Sequence, residues 1–342
     1  MNSMKTQLGI DIGSFNIKVV EVSQEEKSIR ILNAAYTPLS SAGFLSEAKT
    51  DREAVAKQIK SLLSENGIKS KLAVASLTEM QTFTKIIETP KLSEKELSQA
   101  LKWEAEQYIP MPLEDVNMDF VILNSDVGAD KMQILLAAAP ISLVEKYIST
   151  LSSCGLEVTA LENEGIALLR VFKRSDENRL IVNLAASTTN IYIFKKEIIV
   201  LARTIASGSN VLTRVLASDL NLPAASAEEY KRTYGLNEAQ MEGRAYNILK
   251  PFIDNLVSEI TQSLTYFKEK YPNEVIKQIV ITGGGAMLPQ ISTYLSQKLQ
   301  IETIISNPWE GFTIERKVSD KVRGEESLFS TATGCAVREI EA

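Results

Sequence analysis

No histidine occurs among the 342 residues. Ser-His-Asp and Cys-His catalysis, histidine-ligated zinc and imidazole pH switching are therefore closed to this chain. Any acid, base or metal site must be built from oxygen donors or lysine. Cysteine is nearly absent too. Cys154 and Cys335 stand far apart, in no CxxC pattern and flanked by small or apolar residues, which reads as two buried free thiols in a reducing compartment. Basic charge is not in excess: 37 Lys plus Arg face 43 Asp plus Glu, a formal net charge of −6. Without a counterion-releasing basic surface, nucleic acid is not an expected partner. Long apolar runs are also missing. The longest charge-free stretches, near residues 132–144 and 180–194, fall short of the roughly 20 residues that a spanning helix needs, and residues 1–6 carry no apolar leader core. Direct membrane insertion is not expected. The sequence contains neither GxxxxGK[ST] nor GxGxxG, so P-loop and Rossmann phosphate binding are excluded.

What is present has the balance of an ordinary globular protein. Hydrophobic residues make up 44% and charged residues 23%, and at roughly 150 residues per domain the length accommodates two domains with separate cores. The first half opens with a strand over 7–12, a Gly-Ser turn and an alternating strand over 17–22. Residues 50–53 read as a capping box before a helix carrying Val55, Ile59, Leu62 and Leu63, ended by Gly67. Strands follow at 72–76 and 82–87. Ser93 with Glu96 opens a helix whose face is Leu97, Ala100, Leu101, Ala105 and Tyr108, stopped by Pro110 and Pro112. Strands at 117–123 and 132–139, then a helix capped by Ser142 and Glu145, complete a compact α+β insert. This helix with its proline stop fits core packing at Leu101 and Ala105, and the 103–112 segment leaves Trp103, Tyr108 and Ile109 as docking residues.

The second half repeats the opening theme. Strand, small-residue turn and strand recur at 180–184, 185–189 and 191–194, ~170 residues later, which points to an internal duplication. A strand at 198–205, a helix from Val211, a capping box at 226–229 and a long helix over 244–270 follow; Pro251 either begins that helix or kinks it. An apolar strand at 275–282 runs into Gly283-Gly284-Gly285, and Pro289 starts another helix. Three small-residue turns, at 11–14, 185–189 and 282–286, thus each follow an apolar strand. Such turns let backbone N–H groups approach an anion closely, and phosphate is the natural one.

These residues carry a family resemblance. Leu8-Gly9-Ile10-Asp11-Ile12-Gly13-Ser14, with Lys18 four residues on, resembles the first phosphate loop of the actin, Hsp70 and sugar-kinase superfamily. Ile279-Val280-Ile281-Thr282-Gly283-Gly284-Gly285-Ala286 with Leu288-Pro289 resembles its adenosine motif, and Thr331-Ala332-Thr333-Gly334-Cys335-Ala336 its second connecting helix. Within the superfamily the chain is similar to the PilM family, FtsA-like cytoplasmic components of type IV pilus assembly machines. The stretch Glu104-Ala105-Glu106-Gln107-Tyr108-Ile109-Pro110-Met111-Pro112-Leu113-Glu114-Asp115-Val116-Asn117 carries that likeness, which runs over nearly the full length.

The resemblance implies an α/β, actin-like ATPase fold: two lobes with mixed sheets around a nucleotide cleft. Residues 1–170 plus 327–342 would form the first lobe, with an FtsA-type α+β insert at about 84–156, and 171–326 the second, carrying the adenosine loop. The ligand would be ATP or ADP with Mg²⁺. Asp11 would reach the hydrated metal, Gly13, Ser14 and Asn16 would lie at the phosphates, and Lys18 would supply positive charge. Asn183, Ser187 and Thr188 would form the second phosphate loop. Gly208 would lie near the ribose, Glu228 and Lys231 would contact ribose and base, and Gly283, Gly284, Gly285 and Met287 would flank the adenosine. The implied partner is the N-terminal cytoplasmic tail of PilN, a single-span inner-membrane protein, with other pilus platform proteins and motor ATPases nearby. Membrane recruitment would be indirect, from the cytoplasm.

Two departures bear on chemistry. Asn183-Leu184-Ala185 stands where the family carries Asp-x-Gly, and Ser209 where it carries a second glycine. Asparagine cannot hold Mg²⁺ by charge or orient an attacking water as a carboxylate does. The expectation is therefore a binding scaffold with slow or absent turnover and no assigned catalytic residue. An FtsA-like filament protein is the first alternative, but its class ends in a basic amphipathic tail, whereas this sequence reads Arg338-Glu339-Ile340-Glu341-Ala342. A small-molecule kinase is the second; Asn183 removes its best base and leaves Glu162 and Glu164.

Overall fold

A computed structural model of the chain describes residues 5–25, 28–39, 46, 48–109, 111–124, 130–173 and 176–338. The chain divides into two compact units, Met1–Arg170 with Thr331–Ala342, and Val171–Ser330.

The first unit runs β1 (Lys5–Ile12), β2 (Asn16–Glu25), β3 (Ser28–Pro38), α1 (Lys49–Glu65), β4 (Leu72–Leu77), β5 (Phe83–Pro90), α2 (Glu94–Glu106), β6 (Val116–Asn124), β7 (Lys131–Pro140), α3 (Ile141–Ser153), β8 (Glu157–Asn163) and α4 (Glu164–Phe172). Strands β3, β2, β1, β4 and β8 lie side by side in that order, antiparallel on the β2 side of β1 and parallel beyond it. Leu8, Ile10 and Ile12 of β1 pack with Val55 and Ile59 of α1 and Tyr147 and Leu151 of α3. The intervening residues Gln7 and Gly9 face α10 (Ser330–Ala336), the short helix that brings the chain back into this unit. Both faces of β1 are therefore covered: its apolar Leu8, Ile10 and Ile12 meet α1 and α3, and the alternating Gln7 and Gly9 meet α10.

A second, antiparallel sheet of three strands, in the order β5-β7-β6, carries α2 on one face. Leu97, Leu101, Ala105 and Ile109 are buried there against Met132, Ile134 and Leu136. Ile109, expected as a docking residue, is thus core; Tyr108 is half-buried with the Lys85 ammonium over its ring, and Trp103 remains 75% exposed. The capping box at Ser93 forms as read: Glu96 Oε2 accepts the Ser93 N–H at 2.9 Å, and the Glu96 N–H reaches Ser93 Oγ at 3.4 Å. Pro110 lies outside the described residues. α3, grouped with the insert in the sequence reading, packs instead on the first sheet.

The second unit runs β9 (Asn178–Leu184), β10 (Thr189–Lys195), β11 (Ile198–Ile205), α5 (Ser209–Leu220), α6 (Ala224–Tyr234), α7 (Arg244–Lys270), β12 (Gln278–Thr282), α8 (Ile291–Leu299), β13 (Glu302–Ile305) and α9 (Arg316–Lys321). Its sheet, in the order β11-β10-β9-β12-β13, repeats the first: two antiparallel neighbours on one side of the leading strand, two parallel on the other. The duplication read from turn spacing is therefore present in the strand topology.

Three capping assignments are corrected. α1 begins at Lys49 after Ala48, whose N–H is taken by Ser46 Oγ, so Thr50 and Glu53 are helical. α3 begins directly after Pro140 and α6 directly after Pro223, placing Ser142, Glu145, Ser226 and Glu229 inside their helices. In the latter two, proline's fixed φ sets the entry angle without help from a hydroxyl. Pro251 lies inside α7, which begins at Arg244. The apolar strand starts at Gln278, three residues later than read, and α8 at Ile291, two residues after Pro289. The last helix ends at Ala336, and residues 339–342 lie outside the described residues.

A methyl group built on Gly9 would sit 1.9 Å from the Ala332 carbonyl oxygen and 2.4 Å from the Ala336 nitrogen. α10 is held there by Gln7, whose Nε2 donates to the carbonyls of Cys335 and Ala336 at 3.2 Å each. Gly9→Ala must push α10 away or strain β1, and is expected to cost about 2–3 kcal/mol, read as a lower urea midpoint at unchanged slope.

Candidate functional site

In the first unit the turn after β1 closes through the Gly13 N–H, which donates to the Asn16 carbonyl at 3.0 Å. The register places Asp11 opposite Lys18, and Lys18 Nζ meets Asp11 Oδ2 at 2.7 Å, both side chains mostly buried. On the other side Asp11 pairs in register with Ser76 of β4, whose hydroxyl lies 3.4 Å from Asp11 Oδ1. Gly13 lies against this pair: a Cβ there would stand 3.2 Å from Lys18 Nζ. Ser14 is exposed at the tip and Asn16 half-buried at the start of β2. Tyr147 is buried beneath. Burial, and secondarily the Asp11 charge, push its phenol far above the ordinary range, so it stays neutral.

The second unit carries the same frame with different chemistry. Asn183 occupies the register position of Asp11, with Asn190 of β10 across from it where Lys18 would be and Thr282 of β12 beside it where Ser76 would be. A charged trio is thus matched by a neutral one. Ser187 and Thr188 lie in the following turn, closed by the Ala185 N–H to the Thr188 carbonyl. Gly208 packs directly on that turn. A Cβ on it would lie 2.6 Å from the carbonyl oxygens of Ala185 and Ala186 and from the Thr188 nitrogen, so no side chain fits. The N–H groups of Ser209 and Asn210 donate to those same two carbonyls at 2.9 Å. Gly283, at φ 82°, approaches the end of β9 just as closely, 2.4 Å from its would-be Cβ to Asn183 Oδ1.

A third cluster forms on α6. Glu228 and Lys231 share one face at i, i+3, and Lys231 Nζ meets Glu228 Oε2 at 2.6 Å. Thr213 of α5 donates to the same oxygen and accepts from Lys231 at 2.9 Å. Glu228 and Lys231, together with Ser209, Leu212, Gly284, Gly285 and Met287, line one small cavity. Burial raises the Glu228 carboxyl, but the hydrogen bonds from Lys231 and Thr213 and the charges of Lys231 and Arg232 outweigh it and hold the group below its ordinary value. The site residues read from sequence therefore gather in three places: Asp11, Gly13 and Lys18; Asn183, Thr188, Gly208 and Gly283; and Glu228, Lys231, Gly284, Gly285 and Met287. Gly208 stands beside the third cluster through its neighbour Ser209 and does not line that cavity.

Residues 9–340 match the family model described as type IV pilus assembly protein PilM. The chain belongs to this family. The PilM-PilN type IV pilus biogenesis complex is similar at a TM-score of 0.85 and 28% identity, over 98% of this chain and 99% of that one. Two more distant structures share the fold. Ethanolamine utilization protein EutJ from Carboxydothermus hydrogenoformans is similar at a TM-score of 0.61 and 15% identity, over 98% of this chain and 90% of that one. MreB5 of Spiroplasma citri bound to ADP is similar at 0.52 and 15%, over 96% and 94%. This PilM family member therefore has the actin-like fold. Cell division protein FtsA of Neisseria meningitidis serogroup B is 25% identical over 221 residues, 58% of this chain and 51% of FtsA. The chain spans about half the length of the curated relatives it matches.

Several interactions had no sequence signal. Thr213 meets Glu228 from a different helix. Glu162, kept as a candidate base, is buried and paired with Arg170 at 2.5 Å and with Arg338, residues 8 and 176 positions away. That ion-pair cluster also binds the Gly334 carbonyl through Arg170 at 2.8 Å, so Glu162 anchors α10 and is not available as a base. Cys335 is buried and its thiol is pushed well up, first by burial; Cys154 is half-buried. Among the described residues no helix is long and apolar enough to cross a membrane.

Because the Glu228 carboxyl is depressed in the folded state, its stabilising contribution is present above the ordinary value of 4.5 and is lost as pH falls through the lower folded value. Glu228 is 31% exposed, so solvent screening limits the effect to ~1 kcal/mol. Glu228→Gln is expected to lose that much in urea unfolding at pH 7. The gap to the wild type should narrow toward pH 3, and a gap that widens on acidification would contradict the assignment.

Proposed function

We propose that this chain is a nucleotide-binding scaffold of the type IV pilus inner-membrane platform, holding the N-terminal cytoplasmic tail of a PilN-like membrane protein. The observation that carries the reading is the likeness to the PilM-PilN complex over nearly the full length of both chains. The scaffold works in the cytoplasm and reaches the membrane through its partner. The three-stranded sheet supports tail binding physically. Its order leaves β6 as an outer strand, with Val121 and Ile122 exposed, and an extended peptide can add to such an edge by main-chain hydrogen bonds while its side chains find pockets.

The nucleotide of this reading is ATP or ADP. Gly13, Ser14, Asn16 and Lys18 serve its phosphates in the first unit, and Ser187 and Thr188 with Asn183 serve them in the second. Glu228, Lys231, Gly208, Gly283, Gly284, Gly285 and Met287 hold the adenosine. Mg²⁺ would be held by Asp11 through a bound water. The Asp11 carboxylate accepts Lys18 and a long bond from Ser76, and among the described residues no three His, Cys, Asp or Glu side chains converge into a cage. Bound there, the metal would offset phosphate charge. Lys18 can pass from Asp11 to a phosphate oxygen, exchanging one ion pair for another.

With Asn183 where a carboxylate would hold the attacking water, and Ala185 in the turn, binding outlasts hydrolysis. Phosphate release is expected well below about 1 s⁻¹, and turnover at or above that rate would contradict the reading. The test of the scaffold itself is capture of a synthetic peptide of the partner's N-terminal tail by the full chain, with and without Mg-ATP. Capture is expected, with a loss of about tenfold or more in Val121→Asp; no capture under either condition would remove the proposal. Asp11→Ala should abolish the nucleotide dependence of capture and leave capture itself.

A further inference from the structure

Three side chains stand in register across neighbouring strands of the first unit: Asp11 on β1, Ser76 on β4 and Glu162 on β8. The outer two are carboxylates, and the serine between them has one proton to donate. Ser76 is 3% exposed, so solvent is no competitor for that proton. Glu162 is already satisfied: Arg170 holds both of its oxygens, at 2.5 and 2.7 Å, and Arg338 holds one of them. The Ser76 hydroxyl goes to the other side, to Asp11 Oδ1 at 3.4 Å, while Lys18 holds Oδ2 at 2.7 Å. Among the described residues these two are the donors to the Asp11 side chain.

The strand frame alone does not aim this hydroxyl, as the second unit shows. Thr282 holds the position of Ser76 there, beside Asn183. Its hydroxyl is spent elsewhere, 2.5 Å from Ser330 Oγ and 3.1 Å from the Ser327 carbonyl. Beside a neutral amide the hydroxyl serves the fold; beside a carboxylate it serves the carboxylate.

We propose that Ser76 is a positioning residue for Asp11, and that Arg170 and Arg338, by closing Glu162, commit its hydroxyl to that task. Resting on the nucleotide reading, Lys18 leaves Oδ2 for a phosphate oxygen, and Ser76 is then the donor that keeps the carboxylate from turning. Oδ2 is thereby left to accept from the bound water through which Mg²⁺ would be held. With the ammonium gone, the Ser76 bond should shorten toward the roughly 2.5–2.7 Å of an O–H to carboxylate pair. Groups that orient a metal's ligands in this way typically change its affinity by about 10–100-fold when removed.

The experiment measures ADP binding to the full chain by calorimetry, in Mg²⁺ and in EDTA, for the wild type and for Ser76→Ala, Ser76→Cys and Ser76→Thr. The factor by which Mg²⁺ tightens ADP binding is expected to fall about tenfold in Ser76→Ala. Ser76→Cys, which keeps a side chain of similar shape but offers only a weak donor, should fall with it. Affinity in EDTA should change less, and Ser76→Thr, which keeps the hydroxyl, should restore the Mg²⁺ factor. An equal loss with and without Mg²⁺ would mark a merely structural role and overturn the proposal, as would an undiminished Mg²⁺ factor in Ser76→Ala. If the wild type binds no ADP, or binds it without regard to Mg²⁺, that reading fails by itself and crystal structures of the free chain decide the positioning. The Asp11 carboxylate should keep its orientation in Lys18→Met and lose it in Lys18→Met combined with Ser76→Ala. An orientation kept in both, or lost in both, would overturn the proposal.

Discussion

Backbone meets backbone, with no room for a methyl group, at the points where this fold turns its leading strands toward function. Gly208 lies on the carbonyls of Ala185 and Ala186, Gly283 lies on the end of β9, and Gly9 lies under α10. These approaches fix what the side chains around them can do. The Ser209 and Asn210 N–H groups are held at the turn after β9 because Gly208 lets α5 start there. The Gly283 contact, together with the Gly283 N–H to the Ser327 carbonyl at 3.0 Å and the Thr282 hydroxyl to Ser330 at 2.5 Å, sets the start of the 283–287 turn. Met287 and Gly285 reach the face of α6 as a result.

The two units use one strand frame for unequal chemistry. Aligned by register, Asp11, Lys18 and Ser76 answer to Asn183, Asn190 and Thr282. The first trio carries an ammonium paired with a carboxylate, groups that in the proposed function exchange partners with a phosphate and a metal-bound water. The second carries amides and a hydroxyl, which can donate and accept but cannot supply charge to a developing transition state. Such a pairing favours holding a nucleotide over cleaving it. In a scaffold, a ligand that persists can bias which conformation meets the partner, in proportion to its differential affinity for the two.

Much of this was legible in the residues, for identifiable reasons. Strand-turn-strand segments show at 7–22 and 180–194 because β1 alternates Leu8, Ile10 and Ile12 with polar or small residues and β9 carries the apolar run Leu180-Ile181-Val182, each followed by a small-residue turn. The Ser93 and Glu96 box is a local, reciprocal pattern and formed as read. The caps at Thr50, Ser142 and Ser226 failed because a hydroxyl followed by an acid three residues on is common inside helices; in two of the three a preceding proline had already set the helix start. Ile109 is core and not a docking residue because its burial depends on β7, more than 20 residues downstream. The anchoring of α10 by Gln7, Glu162 and Arg170 could not be read at all, because it joins residues more than 150 positions apart.

At the centre of the account is the proposal that this chain binds an adenine nucleotide through the turns read from its sequence. Amide hydrogen exchange of the full chain with and without saturating ADP tests it most directly. Slower exchange is predicted at residues 13–18 of the first unit and at 207–213 and 283–288 of the second, in the same titration and with one midpoint. Protection confined to one unit, or none at these turns while ADP is bound elsewhere, would contradict it.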